Sequence, residues 1–256
     1  MTKRKAFDLN RDIPNLVGKV ILVTEGNNGL GSRRSASKPP CALLLPPASN
    51  DHGHRLDVLI NNAGIMCTPG GLTEGGYEVQ SVARLTQLLP PTLKRTAAAH
   101  GDGGGDVLVV LLSPDLESSV PADTYGKLDE LNTAMVATLT RVRCGISKLA
   151  NVHYAAALAA GSPDLRVVSV MQTSSGRGWK GPWWKGLVRC SGVSSVWRRN
   201  FLTPTKKAVH NSLWAATAMS EFYHSVCVGG KGSWLCRDTK QRDALWDWTQ
   251  KELQPH

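Results

Sequence analysis

The run Arg55-Leu-Asp-Val-Leu-Ile-Asn-Asn-Ala-Gly64 decides how the chain is read. Leu56 to Ile60 is too short for a stable buried helix and stops at turn residues, which makes it a core strand of a parallel sheet, apolar on both faces. Asn61 and Asn62 put side-chain donors and acceptors where that strand ends, and Gly64 lets the backbone come close to whatever sits there. In open α/β sheets ligands bind at this place, outside the carboxyl ends of the strands.

Upstream, Gly18-Lys-Val-Ile-Leu-Val-Thr24 is a β-branched run opening on a glycine and predicts the first strand. Glu25-Gly-Asn-Asn-Gly-Leu-Gly31 follows; glycines between a strand and a helix let backbone N–H groups crowd a phosphate. Downstream, Asp106-Val-Leu-Val-Val-Leu-Leu112 and Leu165-Arg-Val-Val-Ser-Val170 read as further buried strands. A long helix is expected within Gly75 to Thr96, and a flexible connector over Ala97-Ala-Ala-His-Gly-Asp-Gly-Gly-Gly105. Lys148 is expected to start an amphipathic helix with positions 149, 152, 156 and 159 on its apolar face. Asp238 and Gln241 spell a capping box for a last helix reaching Leu253, with Leu245, Trp248 and Leu253 along one side.

At 256 residues, 41% hydrophobic and 20% charged, the chain reads as one soluble α/β domain over 1–256. No stretch approaches the roughly 20 apolar residues that cross a bilayer, and Met1-Thr-Lys-Arg-Lys-Ala-Phe-Asp8 lacks the apolar centre of a secretory signal, so a cytoplasmic address is expected. The six cysteines, at 41, 67, 144, 190, 227 and 236, form no C-x-x-C pair and read as thiols in a reducing compartment. His52 and His54 have no further ligand cluster nearby, so no metal is expected. The net charge of +10 is spread over scattered residues, which fits surface solvation and cations around a cofactor phosphate better than a nucleic-acid partner. Gly178-Trp-Lys-Gly-Pro-Trp-Trp-Lys-Gly186 interleaves aromatic and basic residues, a pattern open to base stacking or a membrane interface. It is read instead as part of a variable substrate cap over about 171–212.

These stretches together resemble the short-chain dehydrogenase/reductase family, in its branch of retinol-dehydrogenase-like and fungal reductases. The likeness is carried by LDVLINNAG with Ile65-Met66, by Leu72-Thr-Glu-Gly-Gly-Tyr-Glu-Val-Gln80, and by Thr24, Gly29 and Gly31 against T-G-x-x-x-G-x-G. Leu88-Leu-Pro-Pro-Thr-Leu-Lys-Arg-Thr96, Leu213-Trp-Ala-Ala-Thr217 and the C-terminal helix add to it. So does Arg143-Cys-Gly-Ile-Ser-Lys-Leu-Ala-Asn151, which is similar to the family's Y-G-Q-S-K-L-A-N helix. The resemblance runs, with gaps, from about Asp12 to the C-terminus. It implies an α/β, Rossmann-like doubly wound parallel sheet, NADP(H) as cofactor, and reversible hydride transfer with a small carbonyl or alcohol substrate, a lipophilic or polyketide-like metabolite. It also implies cofactor-binding roles for Thr24, Gly26, Gly29, Leu30, Gly31, Asn61, Asn62, Ala63, Gly64 and Lys148, with Arg34 on the 2′-phosphate.

The departures from the family pattern are as informative. Glu25 replaces the first loop glycine, and a carboxylate repels a diphosphate, so Gly26 is the substitute if the loop shifts. Only 24 residues run from Ser32 to Arg55, broken by Lys38-Pro-Pro40 and Leu45-Pro-Pro47. Each βαβ unit takes roughly 30 residues, so the sheet is expected to be incomplete, with the strand 2–3 region largely missing and an unpaired edge. In the family a serine orients the carbonyl, a tyrosine supplies the proton, and a lysine lowers the tyrosine pKa and holds the nicotinamide ribose. Here Ser113 aligns with the first member of the serine pair and Pro114 with the second, which orients the carbonyl. The tyrosine is Cys144, and Lys148 is retained. Cysteine sulfur falls short of a phenol oxygen by about an aromatic ring, beyond the reach of proton transfer, and neither Tyr125 nor Tyr154 has the offset to replace it. Ser81-Val-Ala-Arg-Leu-Thr86 offers no counterpart to the relay asparagine, and Met171-Gln-Thr-Ser-Ser175 replaces the His-Pro-Gly turn. The resemblance therefore implies an oxidoreductase with weak or lost activity; the alternative is a catalytically dead remnant acting as a binding scaffold. Ser113, Cys144 and Lys148 are the catalytic candidates.

Overall fold

The computed structural model describes residues 9–24, 42–43, 55–63, 69–73, 76, 78, 89–100, 107–113, 120–124, 132–171, 212–215, 223–225, 228–229 and 233–252. In chain order these form α1 (Leu9–Asp12), β1 (Val20–Val23), β2 (Ala42–Leu43), β3 (Val58–Asn61), α2 (Pro90–Ala99), β4 (Leu108–Ser113) and α3 (Thr140–Gly161). They continue with β5 (Arg166–Met171), β6 (Tyr223–Ser225), β7 (Val228–Gly229), a 3-10 turn (Trp234–Arg237) and α4 (Thr239–Glu252).

The strands make one sheet in the order β2-β1-β3-β4-β5-β6-β7, parallel throughout except for the β6–β7 pair. β3 and β4 are buried at every position, which explains why they read as unbroken apolar runs rather than alternating ones. Alternate side chains go to opposite faces. On one face Leu59, Val109 and Val167 meet Leu93 and Ala97 of α2 and Tyr154, Ala155 and Leu158 of α3. On the other, Ile21, Val58, Val110 and Val168 pack with Ala215 and Leu16. The expected Rossmann-like α/β sheet is therefore present.

In the region where strands were expected to be largely missing, a two-residue β2 lies on β1 in parallel register, Val20 opposite Ala42 and Ile21 opposite Leu43. Two expectations are corrected. The helix sought in 75–96 does not begin at Gly75: Leu72 and Glu78 close a turn by an antiparallel bridge, with Gly76 at φ +79°. A left-handed residue inside that turn is incompatible with helix. Ala97 to Ala99 belong to α2 rather than to a connector, because Pro90 and Pro91 open that helix without losing a needed N–H, and His100 caps its end through Ala97 O.

Asp57 anchors the amino edge of β3. Its side chain is fully covered and accepts the Val20 N–H at 2.8 Å, two Arg55 bonds at 2.9 Å and a His100 Nε2 contact at 2.9 Å, with Lys19 Nζ at 3.5 Å. Burial pushes the carboxyl up, but the bonds from Arg55, Val20 and His100 outweigh it and hold its pKa down at about 2. This one carboxylate ties β1, β3 and the end of α2 together.

α3 is buried from Arg143 to Leu149 and again from Asn151 to Ala155. β4 and β5 cover one side of it, while Leu235, Cys236 and Leu245 of the 3-10 turn and α4 cover Ile146, Leu149 and Val152 on the other. His153 Nε2 meets Leu235 O at 2.7 Å; burial pushes its pKa down, so the neutral ring donates this bond. Asp238 caps α4 as read, its Oδ1 accepting the Gln241 N–H at 3.1 Å, but the reciprocal half of the capping box is replaced: Gln241 Nε2 donates to Asp238 Oδ2 at 3.0 Å, while the Asp238 N–H donates to Leu235 O. Tyr154 stacks at a tilt on Trp246, ring centroids 5.5 Å apart, and burial pushes its phenol pKa up.

Candidate functional site

The chain passes from β1 outward to β2 and returns on the far side of β1 to β3, so the direction of winding reverses between β1 and β3. The carboxyl ends of these strands are Thr24 and Asn61. Thr24 N–H donates to Ile60 O at 3.1 Å, and Asn62 N–H to the same carbonyl at 2.9 Å. Asn62 Nδ2 donates to Thr24 O at 2.8 Å, Ala63 N–H donates to Thr24 Oγ1 at 2.6 Å, and Thr24 Oγ1 donates towards Asn61 Oδ1 at 3.4 Å. Expected as ligand contacts, these amides and this hydroxyl first of all knit two strand ends into a rigid corner. Such a corner fixes the backbone at Thr24 and Ala63. Gly26, Gly29, Leu30, Gly31, Arg34 and Gly64 lie outside the described residues.

The neighbouring strand end meets α3. Ser113 is 0% exposed, and its hydroxyl donates to Lys148 O at 3.0 Å. Asn151 Nδ2 returns the bond, donating to Leu112 O at 3.1 Å. Two consecutive strand residues and two helix residues one turn apart are thus cross-linked in both directions. Lys148 was expected to open the helix; α3 begins instead at Thr140, and Lys148 lies in its third turn, 8% exposed. Cys144, one turn before Lys148, is 0% exposed. Ser113 and Cys144 both lie beside Lys148, but the Ser113 proton is directed at a backbone carbonyl and the thiol is sealed from solvent.

A buried charge pair closes the amino-terminal end of α3. Arg143 Nε stands 4.0 Å from Glu78 Oε1, both side chains 2% exposed, and its other nitrogens donate to Ala134 O at 3.3 Å and Thr140 Oγ1 at 3.2 Å. A Cβ on Gly70 would lie 2.5 Å from both Ala134 O and an Arg143 nitrogen, so only glycine lets the turn approach this closely.

Sequence reading passed over Asn151, Arg143 and Glu78 as functional positions. Asn151 was quoted within S-K-L-A-N, and a polar residue on the helix side facing a core strand was the available signal. Arg143 and Glu78 gave none, since a charge at a helix start is ordinarily solvated. Among the described residues, no group of three His, Cys, Asp or Glu side chains is placed to hold a metal, and no helix is long and apolar enough to cross a membrane. His52, His54 and the 178–186 stretch lie outside the described residues.

No family model matches the chain. It is similar to an uncharacterised oxidoreductase of Schizosaccharomyces pombe, 39% identical over 112 residues, which is 41% of this chain and 32% of that protein; the chain thus matches about a third of that relative's length. It is also similar to a short-chain dehydrogenase/reductase of Aspergillus calidoustus, 25% identical over 314 aligned positions that take in 94% of this chain and 95% of that protein. That alignment is longer than the 256 residues here, so it crosses stretches the relative has and this chain lacks. Among solved structures, an uncharacterised protein from Mycobacterium paratuberculosis shares the fold, with a TM-score of 0.63, 18% identity and 97% coverage of both chains. With the switch-point corner and the S-K-L-A-N helix seated against the end of β4, the chain is similar along nearly its whole length to a short-chain dehydrogenase/reductase.

Proposed function

We propose that the chain binds NADP(H) at the β1–β3 switch point and oxidises or reduces a carbonyl or alcohol carbon of a small lipophilic metabolite, at a low rate. The observation that carries this reading is the buried Lys148, held beside the carboxyl end of β4. An ammonium there offers three donors, a set that fits ribose hydroxyls. The relatives described as oxidoreductases support the same chemistry.

NADP(H), when bound, supplies or accepts the hydride. Lys148 would hold the ribose, the corner of Thr24, Asn61, Asn62 and Ala63 would orient the loops that flank the dinucleotide, and Arg34 would meet the 2′-phosphate. The reacting end fits less well. Ser113 donates to Lys148 O, and Cys144 is sealed, so neither delivers a proton to a carbonyl oxygen in this arrangement. A positioned general acid is worth about 10²–10⁴ in rate, and its absence supports slow turnover. The same two observations favour a second reading, in which the chain binds nucleotide as a scaffold without turnover.

Thermal unfolding with and without NADPH tests the reading. At a hundredfold excess over Kd, binding adds about 2.7 kcal/mol, which raises Tm by about 5–10 °C for a chain of this size. Lys148→Ala is expected to lose most of that rise. A wild-type Tm indifferent to NADPH would sink the proposal. NADPH oxidation by an aldehyde then separates the slow enzyme from the scaffold.

A further inference from the structure

We propose that Asn151 and Ser113 are positioning residues for Lys148: their crossed bonds fix where its ammonium stands, and Ser113 serves as a latch in place of a substrate contact. This rests on the nucleotide-binding reading above. Ser113 Oγ–H reaches across to Lys148 O at 3.0 Å, and Asn151 Nδ2–H reaches back to Leu112 O at 3.1 Å. All four residues are buried, Ser113 completely and Asn151 to 8% exposure.

The geometry makes the pair act together. Leu112 and Ser113 are consecutive on β4, and the Leu112 carbonyl and the Ser113 hydroxyl both meet α3, where Lys148 and Asn151 are three apart and stacked on one side. One bond alone is a pivot; two staggered bonds prevent the helix from sliding or rolling on the strand end. Apolar packing cannot do this, because contacts among Leu149, Val152 and Ala155 are non-directional and tolerate small shifts. Buried hydrogen bonds are directional, and breaking one leaves a desolvated carbonyl. Lys148 is the residue whose own carbonyl is held, so its side chain starts from the most fixed point of the helix.

The experiment compares two ligands. NADPH contains the nicotinamide ribose that Lys148 would hold; 2′,5′-ADP lacks it but keeps the adenosine half. Affinities for both are measured by fluorescence titration on wild type, Asn151→Leu, Ser113→Ala, Ser113→Thr and Lys148→Ala, each first shown to unfold cooperatively. Asn151→Leu and Ser113→Ala are expected to weaken NADPH about tenfold, the scale of one charge-assisted hydrogen bond, and 2′,5′-ADP less than twofold. Ser113→Thr, which keeps the hydroxyl, is expected to restore most of the NADPH affinity. Adding Asn151→Leu to Lys148→Ala is expected to cost nothing more, since the ammonium to be placed is gone.

Equal losses for both ligands, or no loss for either, would overturn the positioning role while leaving nucleotide binding intact. A further loss in the double variant would overturn it too. Wild type binding NADPH no better than 2′,5′-ADP would remove Lys148 from the contact and the inference with it. Wild type binding neither ligand would overturn the nucleotide reading and the inference together. If Asn151→Leu fails to fold, Ser113→Ala against Ser113→Thr decides alone.

Discussion

Replacing Arg143 by alanine is expected to cost about 3–5 kcal/mol, the usual penalty for breaking a buried ion pair from one side. That is a large share of a total stability of about 5–15 kcal/mol. The guanidinium faces Glu78 in a site where both side chains are 2% exposed, and it also satisfies Ala134 O and Thr140 Oγ1. Its removal leaves the buried Glu78 carboxylate without its cation and two half-buried acceptors without their donor. For a chain of this size the Tm should drop by roughly 10 °C, on a scale of about 2–4 °C per kcal/mol. The double replacement Glu78→Leu with Arg143→Met should recover most of the loss, because apolar groups of similar volume need no desolvation. Urea unfolding of the two variants decides it: a single mutant within about 1 kcal/mol of wild type would show that solvent reaches the pair.

Asp57→Ala is the second large effect, again about 3–5 kcal/mol. It strips the Val20 N–H of its acceptor and leaves Lys19, Arg55 and His100 facing each other without the carboxylate. The pH dependence follows from the direction of the shift. The folded carboxyl titrates at about 2 against an ordinary 3.8, so its ionised form favours the fold. The contribution is complete above pH 3.8 and is lost as pH falls from there through 2. The two values correspond to about 2 kcal/mol at most, less what water around the half-exposed Arg55 screens. Unfolding midpoints at pH 5 and pH 2.5 should therefore converge between wild type and Asp57→Asn at the lower pH. Parallel curves would mean that the charge is not what Asp57 contributes.

The strands were legible because both faces of a parallel sheet are apolar: Leu56 to Ile60, Val107 to Leu112 and Leu165 to Val170 each announce themselves by run length alone. The switch-point corner was legible as a place, since two asparagines ending such a run have few other uses. Their partners were not, because a hydrogen bond from Asn62 to Thr24 spans 38 positions and leaves no local pattern. The start of α3 was misread for a similar reason. Arg141, Arg143 and Cys144 break any apolar period, so periodicity begins only near Lys148, while the helix itself begins where the backbone leaves Leu139 in an extended conformation. Ser113 shows the limit of motif reading most plainly. Its position matched the first of the family's two serines, yet the direction of its hydroxyl depends on the helix lying over it.

The enclosure of α3 also sets what can be learned from its amide protons. A helix covered by sheet on one side and by α4 on the other has no fraying route for its middle turns, so deuterium reaches the amides near Lys148 and Val152 only when the whole molecule opens. Their exchange rate is a direct gauge of global stability. Any ligand held by the native state slows them by the factor with which it shifts the unfolding equilibrium, even from the opposite end of the sheet.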